Sequence, residues 1–160
     1  MQTSLKTSSE KVQAFLNQHG QEFIVQQMPD STRTAVDAAN AIGCTVDQIA
    51  KSLIFRNKTS GEAVLIVASG TNVVCMDKVK ASTGITLEKA DAAFVREKVG
   101  YAIGGVPPVA HNEQVTTILD ASLQQHETIW AAAGTPNSVF KLAPQDLNTL
   151  TNGEWIMLAK

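Results

Sequence analysis

No stretch of the 160-residue chain approaches the ~20 apolar residues of a membrane-spanning helix. Met1 to Ser9 is polar and lacks the apolar core of a secretory signal. Basic charge is not in excess, since 13 Lys and Arg stand against 15 Asp and Glu, a net charge of −2. That removes a general nucleic-acid footprint, so any RNA contact has to be local. Cysteine is scarce, and Cys44 and Cys75 lack zinc spacing. They read as free thiols, which together with the missing leader and span points to a cytoplasmic protein with no membrane partner. No glycine loop ends in Lys-Ser or Lys-Thr, and no dinucleotide fingerprint is present. His19, His111 and His126 are scattered, and no His, Cys and carboxylate cluster has ligand spacing, so neither metal nor cofactor is expected. Repeats, low-complexity stretches and linkers are lacking too, and residues 1–160 read as one domain.

What is there is a 44% hydrophobic chain, enough for a packed core. Thr7-Ser8-Ser9-Glu10 has the capping-box pattern and predicts a helix with Val12, Phe15 and Leu16 inward, stopped by Gly20. Phe23-Ile24-Val25 reads as a strand, and Met28 to Ser31 breaks it. Thr34 is the expected N-cap of an alanine-rich helix over 35–42 ending at Gly43, and Thr45 to Gln48 caps a single turn. Ser52 to Arg56 and Ala63 to Ala68 read as the two strands of a hairpin around a polar turn holding Gly61. Asp77 and Asp91 are expected to cap two short helices, stopped by Gly84 and Gly100. Residues 115–119, 128–131 and 138–142 read as strands, Pro144 opens a late helix with Leu147 and Leu150 inward, and Asn152-Gly153 turns into residues 155–158. The irregular mixture predicts an α+β domain with a mixed, largely antiparallel sheet and surrounding helices.

Two stretches carry possible chemistry. In Gln48-Ile49-Ala50-Lys51-Ser52-Leu53-Ile54-Phe55, strand alternation puts Lys51 on the face of Leu53 and Phe55, which is expected to be buried. Either the amine snorkels to water along its stem, or it enters a cleft as a cationic donor to a substrate oxygen. In Gly104-Gly105-Val106-Pro107-Pro108, two glycines permit close backbone approach and two prolines stiffen the exit. The amides of Gly104, Gly105 and Val106 could converge on an oxygen as oxyanion donors do, or the stretch is a bulge and rigid turn. His111 is the one histidine near this loop, and Ala131 to Pro136 is another run of small residues. Cys44 and Cys75 have no motif partner for thiol catalysis.

Thr34-Ala35-Val36-Asp37-Ala38-Ala39, the Lys51 stretch, Gly100 to Pro108 and Ala132-Ala133-Gly134 follow one another in an order that resembles the YbaK/prolyl-tRNA-synthetase-associated domain family, from about Phe15 to about Leu150. The resemblance implies a single-domain relative of the synthetase's editing insertion. Such proteins are aminoacyl-tRNA deacylases that hydrolyse, in trans, the ester between a wrong amino acid and the tRNA 3′ end, often on tRNA for proline. It implies that Lys51 is the essential lysine, that Gly104 to Pro108 is the Gly-x-x-x-Pro loop handling the aminoacyl carbonyl, and that Gly134 lies in the pocket-closing loop. Catalysis is thus assigned to Lys51, Gly104 and Gly105. Substrate contact is assigned to Thr34, Ser52, Ser69, Val106, Pro107, Pro108, His111, Ala133 and Gly134. The implied partners are mischarged tRNA, through its acceptor end, and an aminoacyl-tRNA synthetase. The subgroup that clears cysteine carries a Ser-Gly-Gly-Lys-Arg-Gly-like stretch where this chain has Ala132 to Asn137, which turns the expected substrate toward alanine or serine. The alternative is a non-catalytic module that binds a tRNA end or small molecule with the same fold.

Overall fold

The computed structural model describes residues 2–19, 23–113 and 115–160, with side chains of the first helix from residue 8 onward. In chain order the elements are α1 (Gln2–Asn17), β1 (Gln26–Gln27), α2 (Ala35–Ile42), a 3-10 turn (Val46–Gln48), β2 (Ile49–Asn57), β3 (Ala63–Ser69), α3 (Met76–Thr83), β4 (Leu87–Lys89) and α4 (Ala92–Val99). There follow β5 (Thr116–Asp120), a second 3-10 turn (Ala121–Gln125), β6 (Ile129–Ala132), β7 (Ser138–Leu142), α5 (Pro144–Thr151) and β8 (Glu154–Ile156). The strands form one sheet in the order β1-β7-β6-β2-β3-β5-β8, with β4 also on β2. The β1–β7, β2–β3, β2–β4 and β6–β7 pairs are antiparallel, and β2–β6, β3–β5 and β5–β8 are parallel. The domain is therefore α+β with a mixed sheet.

Strand β3 shows why the sheet lies inside. Leu65 and Val67 join a core with α1 (Val12, Leu16), α4 (Val95, Val99) and α5 (Leu147, Leu150). The alternate residues Val64, Ile66 and Ala68 join a second core with Val79 of α3. Both faces are covered, so β3 reads as an unbroken apolar run. On the second side α2 lays Ala38 and Ala39 against Ile49, a close approach that alanines allow.

Local signals placed several elements. Thr34 Oγ1 accepts the Asp37 N–H at 3.1 Å and Gly43 closes α2 at φ 89°. Asp91 caps α4 through the Phe94 N–H at 2.8 Å. Four expectations are corrected. Helix α1 starts upstream of Thr7, and Ser9 is buried within it, bonded to Ser138 Oγ at 3.1 Å instead of capping. The Gly20 stop lies outside the described residues. Residues 23–25 are not a strand, because the Gln13 side chain takes the groups a ladder would use: Oε1 accepts the Val25 N–H at 2.7 Å and Nε2 donates to Phe23 O at 2.9 Å. The cap of α3 is Cys75, with Asp77 in the first turn of the helix. Finally, Leu53 and Phe55 are only half buried; they pack on the smaller core, whereas Ala50 and Ile54 turn to the larger one.

Candidate functional site

The site arises from a gap in the sheet. Along one edge, β2 pairs with β6 through Ile49 and Ala50, then with β4 from Phe55 to Asn57. Between these no strand of the described residues covers Lys51 to Ile54. Parity tells which backbone groups face the gap. Asn57 donates its N–H to Glu62 O on the β3 side, and Lys58 donates to Thr86 O on the β4 side. Successive residues of a strand direct their N–H and C=O groups to opposite edges, so even-numbered residues face the gap. Ser52 therefore presents its backbone N–H and C=O there. Its hydroxyl is buried in the same wall with no partner among the described residues.

Around this edge lies a cleft of about 320 Å³, open on one side, bounded by the start of α2, the Gly104 loop and the end of β6. Lys51 enters it from one face of β2 and Ser52 from the other. The Lys51 ammonium donates to Gly70 O at 3.3 Å. Burial pulls its pKa below the ordinary lysine range, and the negative charge of Asp120 opposes that. The turn that offers the Gly70 carbonyl is fixed from below. Asp120, 1% exposed, accepts the Ser69 N–H at 3.0 Å, Asn72 Nδ2 at 2.8 Å and the Ser122 N–H at 2.9 Å. Ser69 Oγ donates to Asp47 O at 2.8 Å. A Cβ at Gly70 would collide with Val46 O and sit 3.0 Å from Ala35 Cβ, so only glycine lets the turn pass beneath α2.

Of the residues expected at the site, Thr34, Lys51, Ser52, Gly104 and Val106 line the cleft together. The others lie elsewhere. Ser69 is buried in the turn just described. Gly105 is behind the wall: its N–H donates to Ala102 O at 3.0 Å, its carbonyl accepts the Gly134 N–H at 3.0 Å, and a Cβ would stand 2.8 Å from Thr135 C. The expected convergence of three amides is thus not present, because the middle one closes a turn. Ala133 is fully buried and bonds Ser138 O through its N–H. Gly134 has φ 102°, and a Cβ there would stand 2.8 Å from Ser8 O of α1. Pro107 and Pro108 are buried, and His111 bonds Pro107 O at 2.7 Å through Nε2. Pro108 and His111 border a separate hollow of about 260 Å³ beside Phe15 and Leu150.

Arg33, Ile103 and Trp130 are among the lining residues that the sequence reading did not assign to the site. Arg33 is exposed at the mouth, and its stem lies so close to Gly104 that a Cβ there would be 2.6 Å from Arg33 Cγ. Its position directly before the Thr34 cap was the available signal. Trp130 alternates with buried Ile129 and so had to face out of the main core. The cleft thus combines two cations, an open peptide edge and mostly apolar walls, which suits an anionic ligand carrying a small apolar group.

Comparison with known proteins agrees with this geometry. A family model described as an aminoacyl-tRNA editing domain matches residues 29–150. The chain is 33% identical to YwhH, an uncharacterised protein of Bacillus subtilis (strain 168), over 96% of this chain and 98% of that one. It is 26% identical to EbsC of Enterococcus faecalis (strain ATCC 700802 / V583), named as a candidate Cys-tRNA(Pro)/Cys-tRNA(Cys) deacylase, over 76% of this chain and 74% of that one. Among solved structures, a candidate trans-editing enzyme for prolyl-tRNA synthetase superposes with a TM-score of 0.88 at 40% identity, covering 96% of this chain and 97% of that one.

Proposed function

The chain belongs to the aminoacyl-tRNA editing domain family, and from this premise we propose that it hydrolyses, in trans, the ester of tRNA charged with a small wrong amino acid. The observation that carries the reading is the Lys51 ammonium held beside an unpaired strand edge inside a cleft open to solvent. An aminoacyl ester is already activated, so positioning and hydrogen-bond donors suffice without a covalent nucleophile. Lys51 supplies a cation to the terminal ribose-phosphate. Gly104 and Val106, which line the cleft, are the loop residues that face the aminoacyl group, and Gly105 supports them from behind.

Alanine or serine is the proposed amino acid, with tRNA for proline as acceptor, on the strength of the Ala132 to Asn137 stretch in place of the Ser-Gly-Gly-Lys-Arg-Gly-like one. A second reading, cysteine, is favoured by the similarity to EbsC. The test is deacylation of tRNA for proline charged with alanine, serine, cysteine or proline. Turnover of alanyl or seryl ester above the cysteinyl one supports the first reading. Cysteinyl preference replaces it with the second, and no turnover of any member defeats the hydrolase in favour of a binding module.

A further inference from the structure

Resting on that reading, we propose that the aminoacyl group docks on Ser52 as a one-residue antiparallel strand, its α-ammonium donating to Ser52 C=O and its carbonyl accepting the Ser52 N–H. An α-amino acid ester carries the nitrogen and carbonyl of one residue, the pair that two facing residues exchange in a hydrogen-bonded antiparallel bridge. Ser52 stands where β2 has lost such a partner, between the Ala50 pairing to β6 and the Phe55 pairing to β4. Its buried Oγ, which has no partner among the described residues, is a second acceptor for the ammonium, which has three N–H groups to place.

The bridge also sets direction. In an antiparallel pair the ligand nitrogen lies toward Leu53 and its carbonyl toward Lys51. The ester oxygen and ribose then leave past Lys51, whose ammonium enters the cleft at that end. Facing residues of a bridge put their side chains on the same side of the sheet. An L-residue therefore points its side chain to the Ser52 side, where a smaller hollow of about 180 Å³ is walled by Val95, Ile103 and Val106. A D-residue would point at Lys51 instead. The carbonyl keeps a second lone pair for the Gly104 loop.

The inference requires that a free α-amino group be read. The probes are stable amide analogues of the charged terminus: 3′-(L-alanylamino)-3′-deoxyadenosine, its N-acetyl derivative, and the 3′-propionylamino compound lacking the amino group. Binding is followed by amide-resolved NMR on the full chain, beside deacylation of the corresponding tRNAs. The expected result is a large shift of the Ser52 amide with the alanyl analogue. The propionyl and N-acetyl analogues should bind about ten- to a hundredfold more weakly, the range for hydrogen bonds to a charged group. Ser52→Ala should weaken the alanyl analogue by up to about tenfold and leave the propionyl one unchanged, while Ser52→Thr keeps the difference. Equal affinity for all three analogues overturns the inference, as does an unmoved Ser52 amide. Deacylation without Ser52 recognition defeats the docking and spares the hydrolase; Ser52 recognition without deacylation does the reverse.

Discussion

At the residue scale, Lys51 is the side chain whose removal should cost function and little else. Its one described bond is to Gly70 O, made from a half-buried position. Lys51→Ala should therefore abolish deacylation in single-turnover assays and leave the melting temperature within a few degrees, since a partly exposed lysine contributes little to stability. Unfolding of the variant would make the lysine structural, and full activity would remove it from the mechanism. Its titration adds a second check. The charged form is the useful one, and burial lowers its pKa. Activity, corrected for spontaneous ester hydrolysis, should fall as pH rises, earlier than for an ordinary lysine. Lys51→Arg should move that fall upward or erase it, because guanidinium stays charged.

At the scale of elements, two turns hold the site. In Ser69 to Asn72, Asp120 anchors the backbone and adds negative charge near Lys51. Asp120→Asn keeps one acceptor but loses the charge, so the Lys51 pKa should fall further and the alkaline limb should shift to lower pH. An unchanged profile at unchanged fold would show that Asp120 is an anchor only. The Gly104 to Pro108 loop is the other. A methyl at Gly105 meets Thr135 backbone at 2.8 to 3.1 Å. Overpacking of that kind costs about 1–3 kcal/mol, so Gly105→Ala should lower the melting temperature by several degrees, at ~2–4 °C per kcal/mol for this size. Its activity loss should be equal on alanyl, seryl and cysteinyl substrates, because the residue is behind the wall. Gly104→Ala should instead act at the cleft, where φ of 98° and the Arg33 stem oppose a Cβ. A stable, substrate-selective Gly105→Ala protein would reverse these assignments.

At the scale of the molecule, stability should respond to acid through His111. Burial lowers its pKa, the Pro107 carbonyl opposes this, and Lys11 adds to it. The unfolded chain then binds more protons than the folded one between the ordinary histidine pKa of ~6.5 and the lowered value. Stability should thus be full above that range and decline as pH falls through it. His111→Gln should flatten the difference between melting temperatures at pH 7 and pH 5, and an identical slope in both proteins would refute it. The whole molecule also offers no grouped metal donors among the described residues, and burial raises the Cys44 thiol pKa, which keeps it protonated. Deacylation should survive chelator and the paired Cys44→Ala, Cys75→Ala substitution; loss in chelator restored by zinc would count against this.

Local chemistry decided most of the elements without help from the fold. Thr34 with Gly43, Asp91 with Gly100, and Pro144 are signals that act within a turn of their own helices, and each stands where the sequence placed it. The apolar runs of β3 and β7 were legible for the same reason, since a strand covered on both faces is apolar along its length, whereas the face of Leu53 and Phe55 in β2, expected to be buried, is only half buried. Lys51 was legible as an anomaly, a cation on an apolar strand. Contacts between distant segments were not legible. Gln13 takes the backbone of Phe23 and Val25, Gly105 bonds Gly134, and Arg33 lies on Gly104. The gap itself belongs to this class, since it exists only because β6 leaves β2 after Ala50 and β4 reaches it at Phe55. Sequence alone determined which residues could do chemistry, because charge, hydroxyl and absent Cβ are properties of single residues. Only the tertiary structure decided which of them share a cleft, because a strand edge is left open by pairing between segments far apart in the chain.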